Sequence, residues 1–141
     1  MIKLIIIVGL LCGIFFVKGM QSRKQASPDL SSGPLPLCGA KPNCVCSLQN
    51  PDDPHCIKAI DLANHGVVDV ISAIESIGGK ITANDDTTIQ ATFTSAVFRF
   101  VDDLAAQIAD GKLDIRSSSR VGYSDIGVNR KRVERLRKIL S

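Results

Sequence analysis

Tryptophan is missing from this 141-residue chain, and there is only one tyrosine, Tyr123. With five phenylalanines as the remaining aromatics, neither a large aromatic-lined pocket nor a base-stacking platform is expected, so nucleic acid is not an expected partner. Catalytic signatures are missing as well. There is no Ser-His-Asp order, no glycine-rich phosphate loop and no helical metal-ligand motif. No cofactor is implied, and no internal repeat is visible. The length suits one domain.

There is little net excess of either charge sign, at a formal +3, but the basic residues are unevenly placed. Eight of the seventeen Lys and Arg lie in Arg116–Ser141, opposed only by Asp125 and Glu134. The ordinary reading is a solvated helix face, and the alternative is a surface for an anionic partner.

The only long apolar run, interrupted by nothing but glycine and Cys12, is Leu4–Val17, between Lys3 and Lys18. Fourteen residues are short of the roughly 20 a spanning helix needs and match a signal-peptide core. Val17-Lys18-Gly19 carries small residues at signal-peptidase spacing. An uncleaved anchor, with Lys3 and Lys18 snorkelling, fits equally well. Residues 1–20 are therefore read as signal peptide or membrane anchor. Gln21–Pro36, rich in Ser, Pro, Gly and charge, reads as a linker. Residues 37–141 are the domain.

Cys38, Cys44, Cys46 and Cys56 fall within 19 residues, spaced C-x5-C-x-C-x9-C. A metal site with His55 beside Cys56 is the competing reading, against which stands the lack of the paired C-x2-C knuckles of structural zinc sites; no metal is expected. In an exported chain the cluster reads as a disulfide framework, with three pairings open. The location expected is the cell envelope, anchored or secreted. A cytoplasm-facing domain whose basic helix touches anionic lipid is the competing arrangement.

Within the domain, Val67, Val70, Ile71, Ile74 and Ile77 recur at helical spacing and predict a helix over Leu62–Ile77, stopped by Gly78-Gly79. His65, near its start, reads as a surface or capping residue. Strands are expected at Lys80–Asn84 and Thr87–Thr94, around an Asp85-Asp86 turn, then at Ala96–Ile108 and Lys112–Ser119 around Asp110-Gly111. A last helix should occupy Val128–Leu140. The fold class is α+β: helix, four-stranded antiparallel sheet and C-terminal helix, behind an irregular Cys-containing lead-in.

A two-residue turn at Asp110-Gly111 sets the register. Ile108 pairs with Leu113, Ala106 with Ile115, Leu104 with Ser117, Asp103 with Ser118 and Asp102 with Ser119. Asp102 then shares the core-facing parity of Leu104. Asp103 faces the other way, with Arg116 a diagonal neighbour in salt-bridge reach. On the last helix Val128, Val133, Leu136, Ile139 and Leu140 occupy an arc of about 140°, and Asn129 and Arg132 fall inside it. A buried carboxylate needs a partner, which Arg132 can supply bidentately. A polar cluster of Asp102, Asn129 and Arg132 is expected under the helix N-terminus, with Arg120 and Tyr123 as candidate members. Its first reading is a satisfied network that docks the helix; its second is a small anion pocket. Asp125 or Ser124 should cap the helix, and Ser117-Ser118-Ser119 reads as a strand end.

Phe100-Val101-Asp102-Asp103, followed by the continuous stretch Ile115–Arg132 (IRSSSRVGYSDIGVNRKR), closely resembles the family called domain of unknown function 1499. Cys38 with Pro42-Asn43-Cys44-Val45, and the His55 region, resemble its opening motif. The resemblance covers Leu37 to Leu140. It implies a signal or membrane segment, which many members carry, but no transferable activity. Cys46 stands where the family usually has serine, and Cys56 where it often has an aromatic. That departure implies an additional Cys46–Cys56 bridge, leaving Cys38 with Cys44.

The function expected is a non-enzymatic envelope domain that binds a ligand or partner, such as a small anion or an envelope protein, through Arg116–Arg132. The alternative is an enzyme acting on a small anionic or acyl substrate, with Asp102, Asp103 or Tyr123 in acid–base roles. A deep pocket on Asp102, Arg120 and Asn129 would favour the enzyme; a filled polar core with a flat basic surface would favour the binding domain.

Overall fold

The computed structural model describes residues 2–27 and 33–141. Its first element is a helix, α1 (Ile2–Lys24), of 23 residues. At about 1.5 Å per residue it is about 35 Å long. It is long and apolar enough to cross a membrane. The helix runs past the apolar segment into Gln21–Lys24, which had been assigned to a linker. Nothing in that stretch breaks a helix, and Arg23 and Lys24 suit the negative end of its dipole. Residues 28–32 of the expected linker lie outside the described residues.

The domain is an antiparallel sheet of β1 (Cys44–Cys46), β2 (Ile60–Asp61), β3 (Lys80–Asn84), β4 (Thr88–Thr94), β5 (Val101–Ala109) and β6 (Lys112–Ser119), with α2 (Val67–Ser76) and α3 (Val128–Ile139). The spatial order is β1-β6-β5-β4-β3, and β2 also pairs with β6. The class is α+β. The four expected strands are all present, β5 starting later than expected, and the lead-in adds two short ones at the β6 edge. Asp110 and Gly111 both take positive φ, 50° and 72°, as a two-residue hairpin turn demands. The β5–β6 register is the expected one throughout.

Two boundaries differ from expectation. The helix expected from Leu62 begins at Val67. Leu62 instead donates its N–H to Gly111 O and buries its side chain, and the Asp69 carboxylate accepts the Gly66 N–H to start α2. The strand expected from Ala96 begins at Val101. Ser95 and Phe100 close a turn, with Ser95 N–H donating to Phe100 O (2.8 Å) and Phe100 N–H to Ser95 Oγ (2.9 Å). The alternating Phe98 and Phe100 are therefore not strand residues facing the core. Their rings meet Phe15 of α1, at 5.2 and 6.3 Å between centroids.

The main core lies between the helices and one sheet face, where Val70, Ile74, Ile89, Leu104, Ile115 and Leu136 are fully buried. Gly79 brings α2 against β4, since a Cβ there would lie 2.5 Å from Ile74 Cγ2. The opposite face carries a smaller cluster of Leu35, Cys46 and Ala105, with Cys38 packed beside it.

Candidate functional site

Asp102 and Asp103 are adjacent on β5 and so point to opposite sheet faces. Each has its own arginine. On the helix side, Arg132 Nη2 donates to Asp102 Oδ2 (2.7 Å). Arg132 Nη1 donates to Asn129 Oδ1 (2.6 Å) and Ser117 Oγ (2.9 Å), and Ser117 Oγ donates to Asn129 Oδ1 (2.7 Å). Asn129 Nδ2 donates to Asn43 O and Ser119 Oγ, both at 3.1 Å. The Arg132 guanidinium also lies 4.2 Å from the Phe93 ring centroid. Asn129 is 0% exposed and Arg132 9%. Asp102, Asn129 and Arg132 therefore meet beneath α3, bonded to one another and to Ser117, Ser119 and Asn43.

On the other face, Asp103 does not pair with Arg116 as the sequence reading had it. Arg120 takes it bidentately, Nε to Oδ2 at 2.8 Å and Nη2 to Oδ1 at 2.7 Å, and both side chains are nearly buried. Those bonds push the Arg120 guanidinium pKa up from its ordinary value. Arg120 also donates to Ser27 Oγ and to the carbonyls of Ser22 and Gln25, at the end of α1. A cation there satisfies carbonyls that the helix leaves unpaired. Ser22 Oγ completes the junction: it donates to Val101 O (3.1 Å) and accepts from Val101 N–H (2.8 Å). Arg120 thus belongs to the α1 junction and not to the cluster under α3.

Arg116 instead donates from Nη1 to Ser118 Oγ (2.6 Å). Its Nε is buried without a partner among the described residues, and desolvation lowers its pKa. Cys46, opposite Arg116 in the sheet, is a buried thiol whose pKa desolvation raises. Tyr123, 72% exposed, stands outside both clusters. Asp125 caps α3, accepting Asn129 N–H at 2.7 Å and Gly127 N–H at 3.1 Å.

Cys38 and Cys44 form a disulfide, with Cα atoms 5.7 Å apart. The additional Cys46–Cys56 bridge is not formed. The two residues face each other across an isolated parallel β-bridge, but Cys46 packs its thiol with Leu35 and Ala105 while Cys56 stays half-buried. His55 is held by its own loop, Nδ1 2.6 Å from Asp53 Oδ1 and Nε2 3.1 Å from Lys41 O. Hydrogen bonds from the His55 N–H, Gln49 and the His55 ring hold Asp53 down to about 2.

Asn43, Ser117, Ser119, Ser22 and Ser27 were not singled out from the sequence. The inward parity of Ser117 and Ser119, shared with Leu113 and Ile115, was the available signal for two of them. Asn43 sits next to Cys44, and its Nδ2 reaches Gly122 O at 3.1 Å.

Several hollows open on the surface among the described residues, one of them, of about 220 Å³, beside Phe93 and Arg132. The first, about 380 Å³, lies between α1 and the connection from β6 to α3, lined by Phe15, Phe100, Val121, Tyr123, Ile126 and Asp102 among others. A second, about 280 Å³, is lined by His55, Tyr123, Asp125 and Arg130. The third is broader, about 880 Å³, beside Lys58, Lys112, Glu134 and Arg137. There Arg137 is spent on Glu134 and on the carbonyls of Lys58 and Ala59.

The family model described as "Protein of unknown function (DUF1499)" matches residues 34–140. The chain belongs to the DUF1499 family. No curated protein and no solved structure matches it. The DUF1499 domain so delimited contains both aspartates, both of their arginines and the disulfide. Helix α1, which the Asp103–Arg120 pair receives, precedes it.

Proposed function

We propose that this chain is a non-enzymatic envelope protein: a DUF1499 domain held at a membrane by α1, offering the Val121–Val128 connection to a ligand or partner. The observation that carries this reading is the engagement of the two candidate carboxylates. Asp102 is paired with Arg132 and Asp103 with Arg120, and Asn129 is fully buried. An acid–base pair would need one of these carboxylates free to reach a substrate proton. Instead one network docks α3 and the other docks α1. The apolar length of α1 and the Cys38–Cys44 bond support an exported, anchored arrangement.

Fractionation of cells expressing the full chain tests this. The expected result is recovery in the membrane fraction after alkaline extraction, at an intact mass that includes α1 and with Cys38 and Cys44 oxidised. Recovery as a soluble species whose mass starts near Met20 would overturn the anchored reading. Free thiols at Cys38 and Cys44 in rapidly alkylated protein would overturn the exported one.

A further inference from the structure

The hollow beside α1 has an unusual pair of walls. One is the helix itself at Phe15 and Lys18; the other is the connection carrying Val121, Tyr123, Ile126 and Val128. Phe15 belongs to the apolar run of α1, so the mouth of the cleft continues that apolar surface. Its volume of about 380 Å³ is in the range of small-molecule sites. Its lining is mainly apolar, and of its two carboxylates Asp102 is paired with Arg132 and Asp125 accepts N–H groups at the start of α3.

Three further observations point to the same occupant. First, two large side chains that line this cleft are also shown to solvent: Ile126 is 86% exposed and Tyr123 72%. Second, Ile126 sits at φ 55°, a left-handed conformation that a β-branched side chain adopts at a cost. Third, Phe15, in the wall of the cleft, belongs to the same helix that is long and apolar enough to cross a membrane. Lys18, lining the cleft, is placed to meet headgroup phosphates there.

We propose that this cleft takes up an acyl chain of a bilayer lipid, with Tyr123 and Ile126 forming its lip in the membrane interface. The proposal rests on the anchored reading of α1 given above. It makes the bound lipid the ligand of the Val121–Val128 connection. It also explains why α1 is fastened: Ser22 and Arg120 hold the helix against the domain, and Gly19 lets the two backbones meet. A Cβ at Gly19 would lie 1.8 Å from Phe98 O. A loose helix would leave the cleft without its second wall.

The absence of tryptophan gives a clean test. Single-tryptophan variants of the full chain, Leu10→Trp, Phe100→Trp, Ile126→Trp and Val68→Trp, are reconstituted into phosphatidylcholine vesicles, with and without lipid brominated along its acyl chains. Expected is quenching of at least twofold for Leu10→Trp in α1, Phe100→Trp inside the cleft and Ile126→Trp at its lip, with none for Val68→Trp on α2. Quenching of Leu10→Trp alone would overturn the cleft proposal and leave the anchor intact. No quenching of Leu10→Trp would overturn the anchor, and the cleft proposal with it. Quenching at Ile126 without Phe100 reduces the cleft to a surface contact and overturns acyl-chain uptake. If Phe100→Trp fails to fold, Val121→Trp in the opposite wall of the cleft takes its place, with the same two outcomes.

Discussion

Asp102 and Asp103 are one residue apart and do unrelated work, because successive side chains on a strand go to opposite faces. Removing either charge leaves an arginine in a nearly buried place without its counter-ion. Asp103→Asn and Asp102→Asn are each expected to lower stability by about 3 kcal/mol, as losing one partner of a buried pair does. The two networks share no partner, so the double variant should be additive within about 0.5 kcal/mol. Urea unfolding of the two single variants and the double variant checks both statements. A coupling above about 1 kcal/mol would mean that the sheet faces communicate. At this scale the sequence was legible wherever parity alone decides. Counting back from the Asp110-Gly111 turn placed Asp102 inward, and helical spacing placed Asn129 and Arg132 to meet it. The partner of Asp103 was not legible. Arg116 lies on β6, where sheet geometry makes it a neighbour, whereas Arg120 lies just past the strand. Arg120 is drawn to Asp103 by the added need of the α1 carbonyls for a donor. No local pattern encodes that need.

Elements were legible in proportion to their length. Strands β3 to β6 follow from alternation and turn residues. β1 and β2, three and two residues long, exist only because β6 offers an open edge to them, which is a long-range fact. The aromatic pair Phe98 and Phe100 imitated strand alternation, and its actual purpose, packing on Phe15, involves a helix more than eighty residues away. The same junction yields a prediction for an element. Gly19→Val would force its side chain into the Phe98 carbonyl, so α1 must lift off the domain. Amide exchange at Val101, whose N–H donates to Ser22 Oγ, should then accelerate at least tenfold. The β5–β6 core amides at Leu104 and Ile115 should keep their protection. Unchanged exchange at Val101 would show that the helix is held by its polar end alone.

In the whole molecule, the sheet separates a conventional core under α2 and α3 from a face that receives α1, Leu35 and the cysteine-rich lead-in. The connection between the two sides runs through Asn43. Its carbonyl accepts from the Ser119 N–H and from Asn129 Nδ2, and its own Nδ2 donates to Gly122 O. Asn43 lies inside the loop closed by Cys38–Cys44, a sequence separation of 6. A loop this short gains only about 2 kcal/mol from the constraint on the unfolded chain. Losing it should be felt where Asn43 reaches and not throughout. Cys38→Ser is therefore expected to cost about 2 kcal/mol in urea unfolding. Amide exchange should rise at Ser119, whose N–H depends on Asn43, while Val101 at the α1 junction stays protected. If Val101 loosened equally, the lead-in would be holding α1 as well as α3, and the two faces of the sheet would form one cooperative unit.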